Sequence, residues 1–125
     1  MPSIKLTTEE FKNKVFDYTK EQDWKYKDSI PAVIDFYADW CAPCRMVASV
    51  IEELTKEYDG KIIFYKVDTE AERELASVFQ IQSITSLLFI PNQGLPMMQL
   101  GALPKKDFKK TIDEKLLTIS VVTAE

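Results

Sequence analysis

Cys41 and Cys44 stand with Ala42 and Pro43 between them, in the run Trp40-Cys41-Ala42-Pro43-Cys44. An apolar stretch, Val33-Ile34-Asp35-Phe36-Tyr37-Ala38, comes before the pair, and a helical pattern starts near Cys44. Two thiols at this spacing, at a strand-to-helix junction, mark a dithiol/disulfide redox site. The spacing lets the side chains meet across the first turn of a helix, so a small-ring disulfide can close. Unsatisfied N–H groups and the macrodipole at a helix start favour a thiolate there. Pro43 suits that first turn, where a missing N–H costs little. Cys41 is therefore expected to be the exposed, low-pKa attacking thiol, and Cys44, further into the helix, the resolving thiol. Cys41 would attack a substrate disulfide, and Cys44 would then break the mixed disulfide and leave the pair oxidised.

Rival readings of the pair are weaker. A structural zinc site takes four Cys or His ligands, and this chain has two Cys and no His. A structural disulfide across so few residues closes too short a loop to stabilise much. Inert core cysteines would be the bland alternative.

The elements that must position the pair can be read outward from it. Ala32 to Ala38 is nearly all apolar, as in a strand buried on both faces. Val47, Val50, Ile51, Leu54 and Tyr58 recur at helical steps and predict a helix ending near Gly60. Upstream, Thr7 and Glu10 form a capping-box pattern for a first helix with Phe11, Val15 and Tyr18 on one side. Trp24 and Tyr26 alternate with Lys25 and Lys27, which predicts a short strand. Downstream, Ile62 to Val67 reads as a buried strand, and Glu70 to Phe79 as a short helix carrying Leu75, Val78 and Phe79 inward. Leu87 to Ile90 and Pro96 to Leu100 read as antiparallel strands around the turn Pro91-Asn92-Gln93-Gly94. Pro104 opens a last helix with Phe108, Ile112 and Leu116 on its core face, and Thr118 to Glu125 looks like a loose tail. This order, βαβ and then, after another helix, a hairpin and a helix, implies an α/β fold with a central mixed sheet and helices on both faces.

The 125 residues suffice for one domain, 1–125, with its core at about 7–117. A hydrophobic share of 46% beside 29% charged residues is that of an ordinary soluble globular protein. No apolar stretch is long enough for a membrane helix, so no membrane role is expected. The net charge of −4 argues against nucleic acid. Lys105, Lys106, Lys109 and Lys110 are most simply a solvated helix face. No signal peptide is visible at Met1-Pro2-Ser3-Ile4-Lys5, so the expected location is cytoplasmic, or periplasmic if a leader has been removed.

From about Thr7 to Leu117 the chain resembles the thioredoxin family. The likeness is carried by Asp35-Phe36-Tyr37-Ala38-Asp39-Trp40-Cys41-Ala42-Pro43-Cys44-Arg45-Met46, and supported by Lys66-Val67-Asp68, Ile81-Gln82-Ser83-Ile84 and Leu100-Gly101-Ala102. It implies the thioredoxin fold and thiol–disulfide exchange with protein disulfides. A thioredoxin reductase or other electron donor would recharge the pair. The family default is a monomer with no organic cofactor and no metal, since the cysteine pair itself carries both electrons.

The resemblance also implies site roles. Asp35 matches a buried carboxylate that helps deprotonate the resolving thiol through water. A carboxyl inside so apolar a strand should have its pKa raised, which suits a proton acceptor. Lys66 on the neighbouring strand could pair with it. Trp40, Ala42, Pro43, Ile84, Gly101 and Ala102 match an apolar contact surface around the attacking sulfur. Gly101 would allow close backbone approach, and Ile84 would offer main-chain hydrogen bonds to an extended substrate.

The chain departs from the family pattern twice. Ala42 stands where Gly is usual, a mild change. Thr85 stands where the family has a cis-proline facing the cysteines. A non-proline cis peptide costs about 3–4 kcal/mol, against about 0.5–1 for X-Pro, so Ile84–Thr85 is expected to be trans and the loop reshaped. Thr85 would then weaken substrate docking and lower turnover. Without the shielding ring, two chains could also share a metal or iron–sulfur cluster through four cysteines. Two other functional readings stand beside the reductase: a disulfide oxidase or isomerase, and a binding module crippled by Thr85. Ala42-Pro43 lies closer to a reductase pattern than to an oxidising one containing His.

Overall fold

The computed structural model describes residues 3–117. In chain order the elements are β1 (Ile4–Lys5), α1 (Thr8–Lys14), β2 (Ala32–Tyr37), α2 (Ala42–Glu57), β3 (Ile63–Asp68), α3 (Arg73–Val78), β4 (Ser86–Ile90), β5 (Met97–Leu100) and α4 (Lys105–Thr111). The last helix continues as a π-helical stretch, Ile112–Leu117. The five strands form one mixed sheet in the order β1-β3-β2-β4-β5. β3 runs parallel to β1 and β2, while β4 runs antiparallel to β2 and β5.

The period-two geometry of a strand explains how this sheet divides its core. On β2, Ala32, Ile34 and Phe36 face a cluster with Phe11 of α1 and Leu75 of α3. Val33 faces the opposite cluster, with Val47, Ile51 and Leu54 of α2 and Phe108 of α4. Helices therefore cover both faces. The same alternation sends Asp35 to the face under α2, where it is the one charged residue in a central, doubly covered strand.

Local signals account for the helix ends. The Thr7 side chain accepts from the Glu10 N–H, and the Glu10 carboxylate accepts from the Thr7 N–H, which completes the capping box of α1. α2 ends at Tyr58, and Gly60 two residues on takes a left-handed φ of 80°. α4 is fastened to α2 by Lys105 on Glu53 and Glu57, and by Lys109 on Glu57. These exposed pairs are screened by solvent and add little to stability. Burying Phe108 or Leu54 contributes roughly 1.5–3 kcal/mol, so packing, not charge, holds the layers together. Two of the four lysines on the face read as solvated are thus engaged by α2.

Several expectations need correction. Trp24 and Tyr26 form no strand. The sheet edge beside β3 is occupied by β1, and the Trp24–Tyr26 segment packs over the first cluster, with Trp24 against Phe16 at 4.9 Å between rings. The Tyr26 hydroxyl donates to the Ile30 carbonyl at 2.6 Å. α3 is shorter than expected, because Glu70 and Ala71 fold back through their N–H groups onto the Asp68 carboxylate. Val78 is consequently exposed at 42%, whereas Leu75 is buried and Phe79 packs on Phe11 and Phe36. The expected tail, 118–125, lies outside the described residues.

Candidate redox site

The site begins where β2 hands over to α2. Cys41 caps α2 in an extended conformation, Ala42 is the first helical residue, and Pro43 follows in the first turn, where no intrahelical N–H is needed. The helix thus starts before Cys44, and Cys41 lies just outside it. Cys41 and Cys44 form a disulfide with their Cα atoms 5.3 Å apart. The Cys44 N–H donates to Cys41 Sγ at 3.2 Å. An orphan donor of the helix terminus is therefore aimed at the sulfur that becomes a thiolate on reduction. The expected exposure of Cys41 needs correction for this oxidised form. Both cysteines are 4% exposed, packed with Ala38 and beside Tyr37 and Ile84.

Beneath the pair lies Asp35, 3% exposed. Burial pushes its carboxyl up to about 6, against the opposing pull of the Thr85 hydroxyl and the Lys66 charge. Lys66 is its direct neighbour in the parallel register of β2 and β3. A cavity of about 290 Å³ joins these groups, lined by Asp35, Lys66 and Cys44 together with Tyr37, Asp39 and Arg45. The Arg45 guanidinium donates to the Asp39 carbonyl at 3.4 Å at its rim. Tyr37, Asp39 and Arg45 lie within the motif run, but their types and spacing alone gave no sign of this cavity.

Around the disulfide the surface is apolar. Trp40 is 66% exposed, which rules out core packing, and its indole N–H donates to the Glu70 carboxylate at 2.9 Å. Ala42, Pro43, Gly101 and Ala102 are exposed, and Ile84 is half-buried against the cysteines. Met46 and Leu100 add exposed apolar surface. Glu70 was not singled out from the sequence, because its contact with Trp40 spans 30 residues and leaves no local signal.

Thr85 and Gly101 depart from expectation. The Ile84–Thr85 peptide is cis, not trans. Thr85 is 1% exposed and held on three sides: its hydroxyl lies 2.9 Å from Asp35 Oδ1 and 3.4 Å from the Phe36 carbonyl, and its own carbonyl accepts from the Gly101 N–H at 2.9 Å. The two hydroxyl contacts are ones that a proline ring could not make. Gly101 has a φ of 87°, while a Cβ built there would meet nothing within 4 Å. Within the chain, glycine is needed here for its left-handed backbone and not for close approach.

Comparison with known proteins agrees with this geometry. The Thioredoxin family model matches residues 2–114. A thioredoxin of Borreliella burgdorferi is 43% identical over 112 residues, which cover 90% of this chain and 96% of that protein. Thioredoxin 1 of a Nostoc species is 35% identical over 114 residues, covering 91% and 97%. In structure, chloroplastic thioredoxin z superimposes with a TM-score of 0.77 over 91% of this chain and 94% of that one, at 21% identity, and so shares the fold. With its five-stranded mixed sheet, its helix-capping disulfide and these relatives, the chain belongs to the thioredoxin family, as a thiol–disulfide oxidoreductase and protein-disulfide reductase whose redox pair is Cys41–Cys44.

Proposed function

We propose that Cys41 attacks the substrate disulfide and Cys44 resolves it. The Cys41 thiolate bonds to one substrate sulfur and expels the other as a thiolate. Asp35 accepts the proton of Cys44 across the shared cavity, and the Cys44 thiolate then attacks Cys41 Sγ. The second substrate sulfur leaves, the substrate has gained two electrons, and the Cys41–Cys44 disulfide has formed. The single observation that carries this order of events is the Cys44 N–H aimed at Cys41 Sγ at 3.2 Å. It stabilises charge on Cys41, whereas Cys44 sits over a buried carboxylate suited to take a proton.

Lys66 moderates Asp35 through its charge. Trp40, Ala42, Pro43, Ile84, Thr85, Gly101 and Ala102 form the docking surface for an extended segment of a protein disulfide substrate. A thioredoxin reductase or another dithiol donor returns the pair to the reduced state. The chain acts as a monomer of one domain, residues 1–125, in the cytoplasm. Among the described residues no helix is long and apolar enough to cross a membrane.

Trapping tests the order of attack. Cys44→Ser should accumulate a mixed disulfide with a model disulfide protein through Cys41, and Cys41→Ser should form none. A mixed disulfide held by Cys44 in the Cys41→Ser protein, with none in Cys44→Ser, would reverse the assignment.

A further inference from the structure

We infer that Thr85 is a positioning residue for the proton acceptor: its hydroxyl holds Oδ1 of Asp35 and leaves the second oxygen free for the Cys44 proton. The inference rests on the proposed role of Asp35 and adds a residue from a different strand end, 50 positions away in sequence. Both partners are almost wholly buried, Asp35 at 3% and Thr85 at 1% exposure, so water does not compete for the bond.

The geometry suits both protonation states of the carboxyl. A hydroxyl has one proton to give and two lone pairs. Toward the carboxylate, Thr85 Oγ1 donates across 2.9 Å. Once the second oxygen has taken the proton, Oδ1 is the carbonyl oxygen of a carboxylic acid and still accepts from the same hydroxyl across the same distance. Neither state leaves a buried polar atom orphaned, and the Asp35 carboxyl keeps one orientation through the cycle. The bond to the ionised form is charge-assisted and the stronger of the two, so Thr85 makes Asp35 a readier carboxylate than burial alone would allow.

The other groups facing Asp35 come from each packed element: Lys66 on β3, Cys44 and Arg45 on α2, and Tyr37 and Asp39 at the end of β2 and just beyond it. On β4 its register neighbour is the apolar Leu87. Opposite Lys66, whose charge reaches Asp35 across the cavity edge, Thr85 is the hydrogen-bonding partner that the carboxyl has among these residues.

The test is a carbon-13 carboxyl titration of Asp35 by NMR on the oxidised chain, where neither cysteine titrates. Thr85→Val keeps the shape and removes the hydroxyl, and it should raise the Asp35 midpoint by about one pH unit. Thr85→Ser restores the donor and should bring the midpoint back to the wild-type value, a rescue that a purely structural role for the side chain would not produce. If Thr85→Val does not fold, Thr85→Ala reads the same loss. An Asp35 midpoint equal in wild type and in the hydroxyl-free variant overturns the inference. Failure of the underlying reading is seen elsewhere: there, Asp35→Asn would leave the pH profile of disulfide reduction unchanged, whatever the titration shows.

Discussion

The backbone N–H of Cys44 points at Cys41 Sγ from 3.2 Å, so the first turn of α2 solvates one sulfur of the pair and not the other. The two thiols are made unequal by their places on one helix terminus, with no cation or histidine required. Reduced protein treated with a limiting alkylating agent near neutral pH should therefore be modified at Cys41 well before Cys44, by mass-spectrometric mapping. Equal labelling of the two would mean the helix start does not separate them.

Asp35 links the mechanism to stability. Its proton is held to about 6 in the folded chain, against 3.8 as the ordinary value. A carboxyl raised in this way contributes stability below the unfolded value and loses it as the pH climbs through the folded one. The shift corresponds to about 3 kcal/mol at about 1.36 kcal/mol per unit. Asp35→Asn, which never ionises and can still accept from Thr85, should be more stable than wild type by about 2–3 kcal/mol above the Asp35 midpoint. The gain should vanish in acid below the unfolded value. Urea unfolding of the oxidised proteins on either side of the midpoint checks both the size and the sign.

Trp40 offers the clearest separation of recognition from folding. It is 66% exposed and tied down by Glu70. Trp40→Ala should change stability by less than about 0.5 kcal/mol. It should also lower kcat/KM for a protein disulfide by about tenfold, while leaving reaction with a small aromatic disulfide nearly intact. Steady-state kinetics with the two substrates reads the difference.

Core truncation gives the opposite pattern. Leu54, fully buried in the cluster beneath α2, packs among Val33, Phe64 and Phe108. Leu54→Ala should cost about 2–5 kcal/mol in unfolding free energy. With enough stability left to fold, its reduction rate should stay close to wild type.

What the sequence disclosed follows from how local each signal was. β2, α2 and the cysteine pair were legible because an apolar run, a helical period and a short motif each lie within a few residues. The strand β1 was not, since Ile4–Lys5 is only two residues long and exists through its pairing with β3. Trp24 and Tyr26 alternated like a strand, yet alternation cannot show that the neighbouring edge is already taken. Val78 fell on a helical face that the early turn at Asp68 displaces. At the site, the burial of Asp35 and the exposure of Trp40 were both readable. The bond from Thr85 to Asp35 was not: from the missing proline one infers only a loss, while the gained hydroxyl contact joins residues that meet only in the folded sheet.

The most direct measurement is multiple-turnover reduction of a model disulfide protein with a saturating dithiol donor, comparing wild type and Cys41→Ser. The account predicts turnover by the wild-type chain and none by Cys41→Ser. Wild-type turnover that persists in Cys41→Ser would contradict it, because electrons would then be reaching the substrate by a route that does not pass through Cys41.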